Sequence, residues 1–498
     1  MAVIMSGFRT LHRITNSDDG GGTPSPVWRV KFSPCRCSSS SSSLRVLAAG
    51  ASNTIKCYSL TDRTEKDVNS NDVLDASAMN VDCTQYLISR DDSTSSNSNN
   101  NKAVLGYAAL DIVRNYCGED VTAGNEVVMA SKLGGHVAIW VTLDPILKEK
   151  GVVVAEDIAG NDNDMNIDNS CQYKRPSAEF KVTSATGTTL AIRPPILGNY
   201  YSKKETDILV AMGCANGAVV ICKTGILASR PGDNGITSRS GNSAVVGDTS
   251  VDDTVVMNIT SFHNNNDNDN DGNDNNLPGQ IITTVGGGHA CVMSLAWHPM
   301  IPNTFVVGRK DGIIDIYSAQ NATTSEEYYY GREELNFRRV HRLVHSSFPI
   351  RALSYSMPDG ELLFAGDDDG KLYSYDASMA LPTPGTSSDS FNVATPVKLV
   401  GCALAAHKGW IMDLTAFPDG NRVATCGSDR SVRVWDCGMG LASGTPIHSF
   451  DGVNEGLVWG VDCSGGGAAS GGNSSSGARL KLICSGNDGS MQVFSCSE

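Results

Sequence analysis

The chain has 498 residues, a formal net charge of −15 at pH 7, and 40% hydrophobic and 6% aromatic residues. That length is ample for a large core, while the acidic balance argues against general nucleic-acid binding, which needs a cationic surface to release counterions. No apolar run of about eighteen residues occurs, so no membrane-spanning helix is expected, and the opening MAVIMSGFRT is too short and too mixed for a signal peptide.

In chain order, residues 8–14 (FRTLHRI) read as a lone strand ahead of the first full unit. Seven units follow with one rhythm: two apolar runs joined by a turn, then an alternating run that ends, in the clearest copies, in an aromatic residue. They begin at VWRVKFSP, GYAALDIV, TGTTLAIRPP, CVMSLAWHP, FPIRALSYSMPDG, HKGWIMDLTAFPDG and LVWGVDCSG. In the last four, an aspartate stands six places before the closing aromatic: Asp311 before Tyr317, Asp369 before Tyr375, Asp429 before Trp435 and Asp488 before Phe494. Ser52, Gly134 and Asn216 take its place in the first three. The sixth unit is the plainest. Pro418-Asp419-Gly420 turns the chain because Pro presets φ and Gly accepts a positive φ, and Val432 and Val434 then alternate with Ser431 and Arg433. One such sheet cannot bury both of its faces, so it needs its copies.

Seven units of about 40–45 residues need roughly 300 residues; the excess is insertion. The tracts at 38–43, 61–83, 143–178, 224–279, 319–336, 378–395 and 464–478 are rich in Asn, Asp, Ser and Gly, most of all HNNNDNDNDGNDNN at 263–276. They have too little apolar surface to offset ordering entropy and are expected to be disordered. Cys57, Cys222, Cys426, Cys463 and Cys484 fall at strand positions and read as small buried thiols in a reducing compartment.

The repeats resemble the WD-repeat family. The resemblance implies an all-β fold, a seven-bladed WD-repeat β-propeller with disordered loop insertions and four-stranded blades around a channel. The blades fall near 27–89, 103–184, 185–286, 289–344, 346–403, 407–451 and 457–498, all in one domain. Strand 8–14 would complete the last blade and so remove an exposed sheet edge. It also implies that the long insertions open on the bottom rim, with Asp91–Lys102 on the other. A rim kept short at six of seven blades is the better docking face.

His407, Thr425, Asp429 and Trp435 match the family's buried polar network, with Asp311, Asp369 and Asp488 at the corresponding turns. A Ser/Thr-His-Asp set also suits a hydrolase triad. Repetition of the aspartate favours packing, because catalysis needs one site. Gly286-Gly287-Gly288 precedes a strand rather than a helix, so it is a turn and not a phosphate loop. Cys35-Arg36-Cys37 lacks zinc-site spacing, and the Asp/Asn tract lacks the fixed Gly and terminal Glu of a calcium loop. No catalytic residue, cofactor or metal ligand is expected; the chain reads as a binding protein.

One constellation stands out. Trp28, Met293, Arg351, Met412 and Trp459 each follow the first apolar residue of a first strand, and Trp410 lies two residues before Met412. In WD-repeat propellers this position faces the top mouth of the channel, and Trp, Met and Arg are enriched at interfaces. Trp28 and Trp459 either form an apolar patch there or pack between blades.

The last third, about 289–498, is similar to the WD-repeat subunit of the superkiller (Ski) complex, on PIRALSYSMPDGELLFAGDDDGKLYSYD, HKGWIMDLTAFPDG with SDRSVRVWD, KDGIIDIY, and VWGVDCSG with LKLICSGNDGSMQVFSCSE. That resemblance implies a scaffold that docks on a tetratricopeptide-repeat subunit and, through it, holds an RNA helicase feeding the cytoplasmic exosome. It further implies service with polymerase-associated elongation factors in the nucleus. Trp28, Met293, Arg351, Trp410, Met412 and Trp459 are the contacts it suggests. Departures are the long inserts, the missing aspartate in units one to three, and the lack of a His ahead of Trp459. The alternatives are another WD-repeat adaptor, such as a ubiquitin-ligase substrate receptor or a histone-tail reader. The latter needs an acidic channel mouth.

Overall fold

The second strand of each repeat shows little polar alternation. Phe305–Val307, Leu363–Ala365 and Leu482–Cys484 are unbroken apolar runs. Such runs suit strands covered on both faces, and in the computed structural model of the protein every one of these side chains is buried. The structure describes residues 8–15, 24–33, 44–52, 54–62, 79–88, 107–116, 124–132, 134–143, 172–174, 178–182, 185–193, 206–228, 279–288, 290–301, 303–321, 335–378, 397–437, 441, 444–464 and 480–496.

Strand β1 (Phe8–Thr15) comes first. Blade one is β2 (Val27–Phe32), β3 (Leu44–Gly50), β4 (Thr54–Asp62) and β5 (Met79–Ile88). Blade two is β6 (Tyr107–Tyr116), β7 (Gly124–Lys132) and β8 (His136–Leu143). It is completed, after the short β9 (Gln172–Lys174), by β10 (Ala178–Lys181). Blade three is β11 (Gly187–Ile192), β12 (Thr206–Cys214), β13 (Ala218–Ala228) and β14 (Ile281–Gly286). Blade four is β15 (Val292–Trp297), β16 (Thr304–Arg309), β17 (Ile313–Asn321) and β18 (Leu335–Val344). Blade five is β19 (Ile350–Tyr355), β20 (Leu362–Asp367), β21 (Leu372–Asp376) and β22 (Lys398–Ala403). Blade six is β23 (Ile411–Ala416), β24 (Arg422–Gly427), β25 (Val432–Asp436) and β26 (His448–Phe450). Blade seven has three strands of its own, β27 (Val458–Cys463), β28 (Lys481–Gly486) and β29 (Ser490–Cys496). Strand β1 pairs antiparallel with β29 as the fourth. The result is a seven-bladed all-β propeller.

The core is a ring rather than a centre. Seven apolar clusters each bridge two neighbouring blades, from the seam of blades one and two (Leu47, Ile55, Trp140) to the seam of blades seven and one (Val30, Tyr58, Ile483, Met491). Each sheet therefore spends both faces on its neighbours, which is why a single repeat cannot stand alone.

One stretch departs from expectation. Residues 143–178, expected to be disordered, contain β9, which lies parallel on the edge of β5 with Gln85 opposite Gln172 and Leu87 opposite Lys174. Blade one thereby gains a fifth strand. Composition misses this because the open ladder of β5, not the side chains of β9, supplies the partners. The ends of 61–83, 224–279 and 319–336 are likewise strand, in β4, β5, β13, β17 and β18. Tracts 38–43 and 263–276, and Asp91–Lys102, lie outside the described residues.

Candidate partner-docking site on the bulged rim

Every first strand carries a β-bulge at its second residue. The pairing of β2 with β3 skips Trp28, β6 with β7 skips Ala108, and β11 with β12 skips Thr188. The same slip falls at Met293, Arg351, Met412 and Trp459 in β15, β19, β23 and β27. A bulge leaves one residue out of the ladder and re-aims its side chain. Repeated seven times at the start of the innermost strand, it sets a ring of side chains at one rim, here called the top. Ala108 and Thr188 complete that ring in blades two and three; their small size hid them in the sequence.

The six predicted docking residues divide. Trp410 is 45% exposed, in the loop leading into β23. The guanidinium of Arg351 lies over its ring, 4.9 Å from the centroid, and is gripped by Asp368 through Nε–Oδ1 at 2.5 Å and Nη2–Oδ2 at 3.0 Å. Trp28, Met293 and Trp459 are half-buried. Trp459 packs on the core between blades six and seven, while its indole N–H donates to Asn487 Oδ1 at 3.4 Å. Packing and exposure thus coexist in one side chain. Met412 does not belong to the surface. It is 4% exposed and sits within the same blade six–seven core, where an unbranched thioether fills an irregular gap. Phe348, 43% exposed in the loop before β19, adds an apolar residue to the rim that periodicity did not mark.

Beneath this rim lies the polar network. In blade six the Trp435 indole N–H donates to Thr425 Oγ1 at 2.9 Å, and Thr425 meets His407 Nε2 at 2.8 Å. His407 Nδ1 meets Asp429 Oδ1 at 2.9 Å. Because Thr425 accepts from Trp435, its own proton goes to Nε2, and the neutral imidazole donates from Nδ1 to the carboxylate. Burial pushes the His407 pKa down against the pull of Asp429. Burial opposes ionisation of Asp429, but His407, the Lys408 N–H and Ser431 together hold its carboxyl well below the usual range. A Cβ on Gly427 would stand 2.5 Å from His407 Nδ1, so this network needs glycine there.

Blade seven keeps the plan with Asn454 for His407: Asn454 Nδ2 donates to Asp488 Oδ1 at 3.1 Å, and Gly486 leaves it room. Blades four and five do not keep it, so Asp311 and Asp369 are corrected. Asp369 turns outward to Lys371 at 2.7 Å. Asp367 does the work instead, accepting from Ser346 Oγ at 2.7 Å and Tyr373 Oη at 3.0 Å. Asp311 only turns its own loop, accepting the Ile313 N–H at 3.3 Å, while buried Arg309 binds Asp315 at 2.9 Å and the Gly217 carbonyl at 2.8 Å. The physical reason is space. Where the residue four places before the first strand is large (His407, Asn454), the end of the second strand is glycine. Where it is small (Gly288, Ser346), that end carries Arg309 or Asp367.

A second set of contacts laces the inner edges together. Asp462 accepts the Phe32 N–H at 2.7 Å, Asp413 the Val461 N–H at 3.3 Å, and Asp111 the Ile192 N–H at 2.8 Å, each across a blade seam. Burial raises the pKa of Asp111 and Asp462, opposed chiefly by Lys31. The His407 imidazole is spent on Thr425 and Asp429 inside the blade, which places this Thr–His–Asp set in packing, as the repetition of the aspartate suggests.

Comparison with known proteins agrees with the repeat reading. The family model for the WD domain, G-beta repeat, matches residues 337–376 and 398–436. Actin-interacting protein 1 of Drosophila melanogaster is 27% identical over 158 residues, covering 32% of this chain and 21% of that protein. Striatin-4 of Mus musculus is 22% identical over 145 residues, covering 29% of this chain and 17% of its own length. The matched stretches thus span about a fifth of these relatives. Among solved structures, the WD40 β-propeller domain of Doa1 aligns over 98% of this chain and 97% of that one, with a TM-score of 0.48 and 10% identity. The chain is a seven-bladed β-propeller in which the WD domain, G-beta repeat, is matched from the last strand of blade four to the third strand of blade six.

Proposed function

We propose that this chain is a non-enzymatic scaffold whose top rim holds short partner segments by an aromatic or apolar anchor. The observation that carries the reading is the pairing of Arg351 with Trp410. A guanidinium clamped by Asp368 and laid over a half-exposed indole is a pre-ordered anchor of the kind interfaces favour. Trp28, Met293, Trp459 and Phe348 extend the same rim. The resemblance of residues 289–498 to the superkiller WD-repeat subunit supports a finer reading. The chain docks on a tetratricopeptide-repeat protein and through it serves an RNA helicase in 3′–5′ messenger RNA decay, with a second engagement of polymerase-associated elongation factors. Residence in both cytoplasm and nucleus follows from that double service.

The test is affinity purification of the tagged chain at moderate salt with mass spectrometry of what co-elutes, beside the Trp28→Ala/Trp459→Ala and Arg351→Ala/Trp410→Ala variants. The reading expects a tetratricopeptide-repeat protein and a large helicase with the wild type, and their loss with at least one variant. Recovery of a cullin adaptor instead, or of the same partners with both variants, would refute it.

A further inference from the structure

The outer edge of each blade is where the propeller's own hydrogen bonding stops. Blade one shows that such an edge accepts an added strand, since β9 lies along β5. On blade four the outermost strand is β18, ten residues long, and among the described residues no strand pairs on its outer side. In a chain of net charge −15, this strand exposes Arg338, Arg339 and Arg342.

Two of these arginines are oriented from beneath. Asp315, with no exposed surface, accepts from Arg342 Nε at 2.8 Å and Nη2 at 3.2 Å, and lies 3.9 Å from Arg339 Nε. It also accepts from Arg309 Nε at 2.9 Å. Burial disfavours the Asp315 charge, but Arg342 and Arg309 hold its carboxyl below the usual range. One carboxylate thus faces three guanidiniums. Arg309 is consumed, since its other N–H groups reach Gly217 O, Ala290 O and Tyr317 Oη. The surplus positive charge belongs to Arg339 and Arg342, which are 42% and 33% exposed. Arg338 stands opposite Ser318, next in register to Arg339 opposite Tyr317, and so projects from the other face of the strand. Asp311 is the next negative charge acting on Arg342.

Charged residues on an edge strand often serve only to keep edges from pairing. That account predicts charge on every open edge. The outer strands β14 (IITTVG) and β26 (HSF) carry no Lys, Arg, Asp or Glu, and β22 (KLVGCA) carries one lysine, although Ile281, Leu399 and Val400 are exposed on them. Of the other outer strands, β10 (AEFK) carries one charge of each sign and β1 (FRTLHRIT) two arginines, of which Arg13 is paired with Asp488, so β18, with three arginines and no carboxylate, is the most basic of these edges.

We propose that the outer edge of β18 is a docking site for an acidic, extended segment of a partner protein, which adds to blade four as a further strand. Its backbone pairs with the open ladder of β18. Its carboxylates at successive positions meet Arg338 on one face and Arg339 and Arg342 on the other. The site lies on the circumference and is independent of the top rim.

The full chain is titrated with a labelled Asp/Glu-rich peptide of the length of β18, and separately with oligouridine of equal charge. Amide exchange across β18 is followed in each case. The peptide is expected to bind, to weaken as salt rises, and to slow exchange in β18. Arg338→Glu/Arg339→Glu should lower its affinity by about tenfold or more. That variant spares the Arg309–Asp315–Arg342 core, and Arg338→Gln/Arg339→Gln replaces it should the charge reversal impair folding. Trp28→Ala/Trp459→Ala should leave peptide affinity unchanged, which separates this site from the top rim. Absence of peptide binding, unchanged affinity in the arginine variants, or oligouridine binding as tightly without protecting β18 amides would overturn the proposal.

Discussion

At the scale of the residue, the blade six network and His298 show how burial sets protonation. His298, 3% exposed, directly follows the first strand of blade four. Its Nδ1 accepts the Met300 N–H at 3.1 Å and the Ile301 N–H at 2.9 Å. Its ring packs 4.7 Å from that of Tyr355, and Gly360 of blade five closes over it. Burial pushes the His298 pKa down to about 4, against smaller opposing effects of the Gly360 backbone and Asp359. A proton on Nδ1 would face two N–H donors. The folded pKa lies below the unfolded one, so His298 contributes fully above the unfolded value of 6.5. That contribution is lost as pH falls from there towards about 4, by roughly 3 kcal/mol at most. His407 shifts in the same direction. His298→Asn keeps an acceptor for both N–H groups but removes the titration. Chemical denaturation at pH 7.5, 6 and 5 should show the wild type losing stability faster than the variant. Parallel curves would mean that His298 does not set the slope.

At the scale of the element, strands were more legible than sites. The aspartate six residues before an aromatic located four third strands correctly, since the turn it makes is local. Asp311 still caps its loop by accepting the Ile313 N–H. Its role in a network was not legible, because that depends on what stands at the end of another strand, as Arg309 and Asp367 show. Met412 failed for a similar reason: the bulge places it at the rim, but the neighbouring blade decides whether an apolar side chain stays in solvent. Strand β1 was legible as a lone strand ahead of the first unit, and its pairing makes a prediction. Residues Phe8–Thr15 cover the edge of β29, with Arg13 meeting Asp488 at 3.0 Å. Removing residues 1–15 uncovers that edge and strips Ile14 from the seam between blades seven and one. The truncated chain should melt lower and associate with rising concentration, as bare edges do. Size-exclusion with light scattering reads this directly; a monomer of unchanged melting temperature would show that β1 is dispensable.

At the scale of the whole molecule, stability rests on closing a ring whose last seam joins residues more than four hundred positions apart. Asp462 spans that seam. Its Oδ2 takes the Phe32 N–H, its Oδ1 lies 3.7 Å from Lys31 Nζ, and Thr415 of blade six reaches it at 3.3 Å. Three blades therefore meet on one carboxylate. Removing it leaves the buried Phe32 N–H without an acceptor and takes from Lys31 its main counter-charge, with Asp111 and Asp413 still acting on it, a loss of roughly 3 kcal/mol. Asp462→Asn keeps an acceptor for Phe32 and should cost much less. Lys31→Ala leaves both Asp111 and Asp462 buried without the cation that chiefly opposes their desolvation, so it should cost about as much as Asp462→Ala. The expected order of melting temperatures is therefore wild type, then Asp462→Asn, then Lys31→Ala and Asp462→Ala together. The transition should stay single in calorimetry, because β1 on β29 and the apolar cluster of Val30, Tyr58, Ile483 and Met491 still tie the same seam. A split transition in Asp462→Ala would mean instead that the inner-edge carboxylate, and not the apolar seam, couples the first blade to the last.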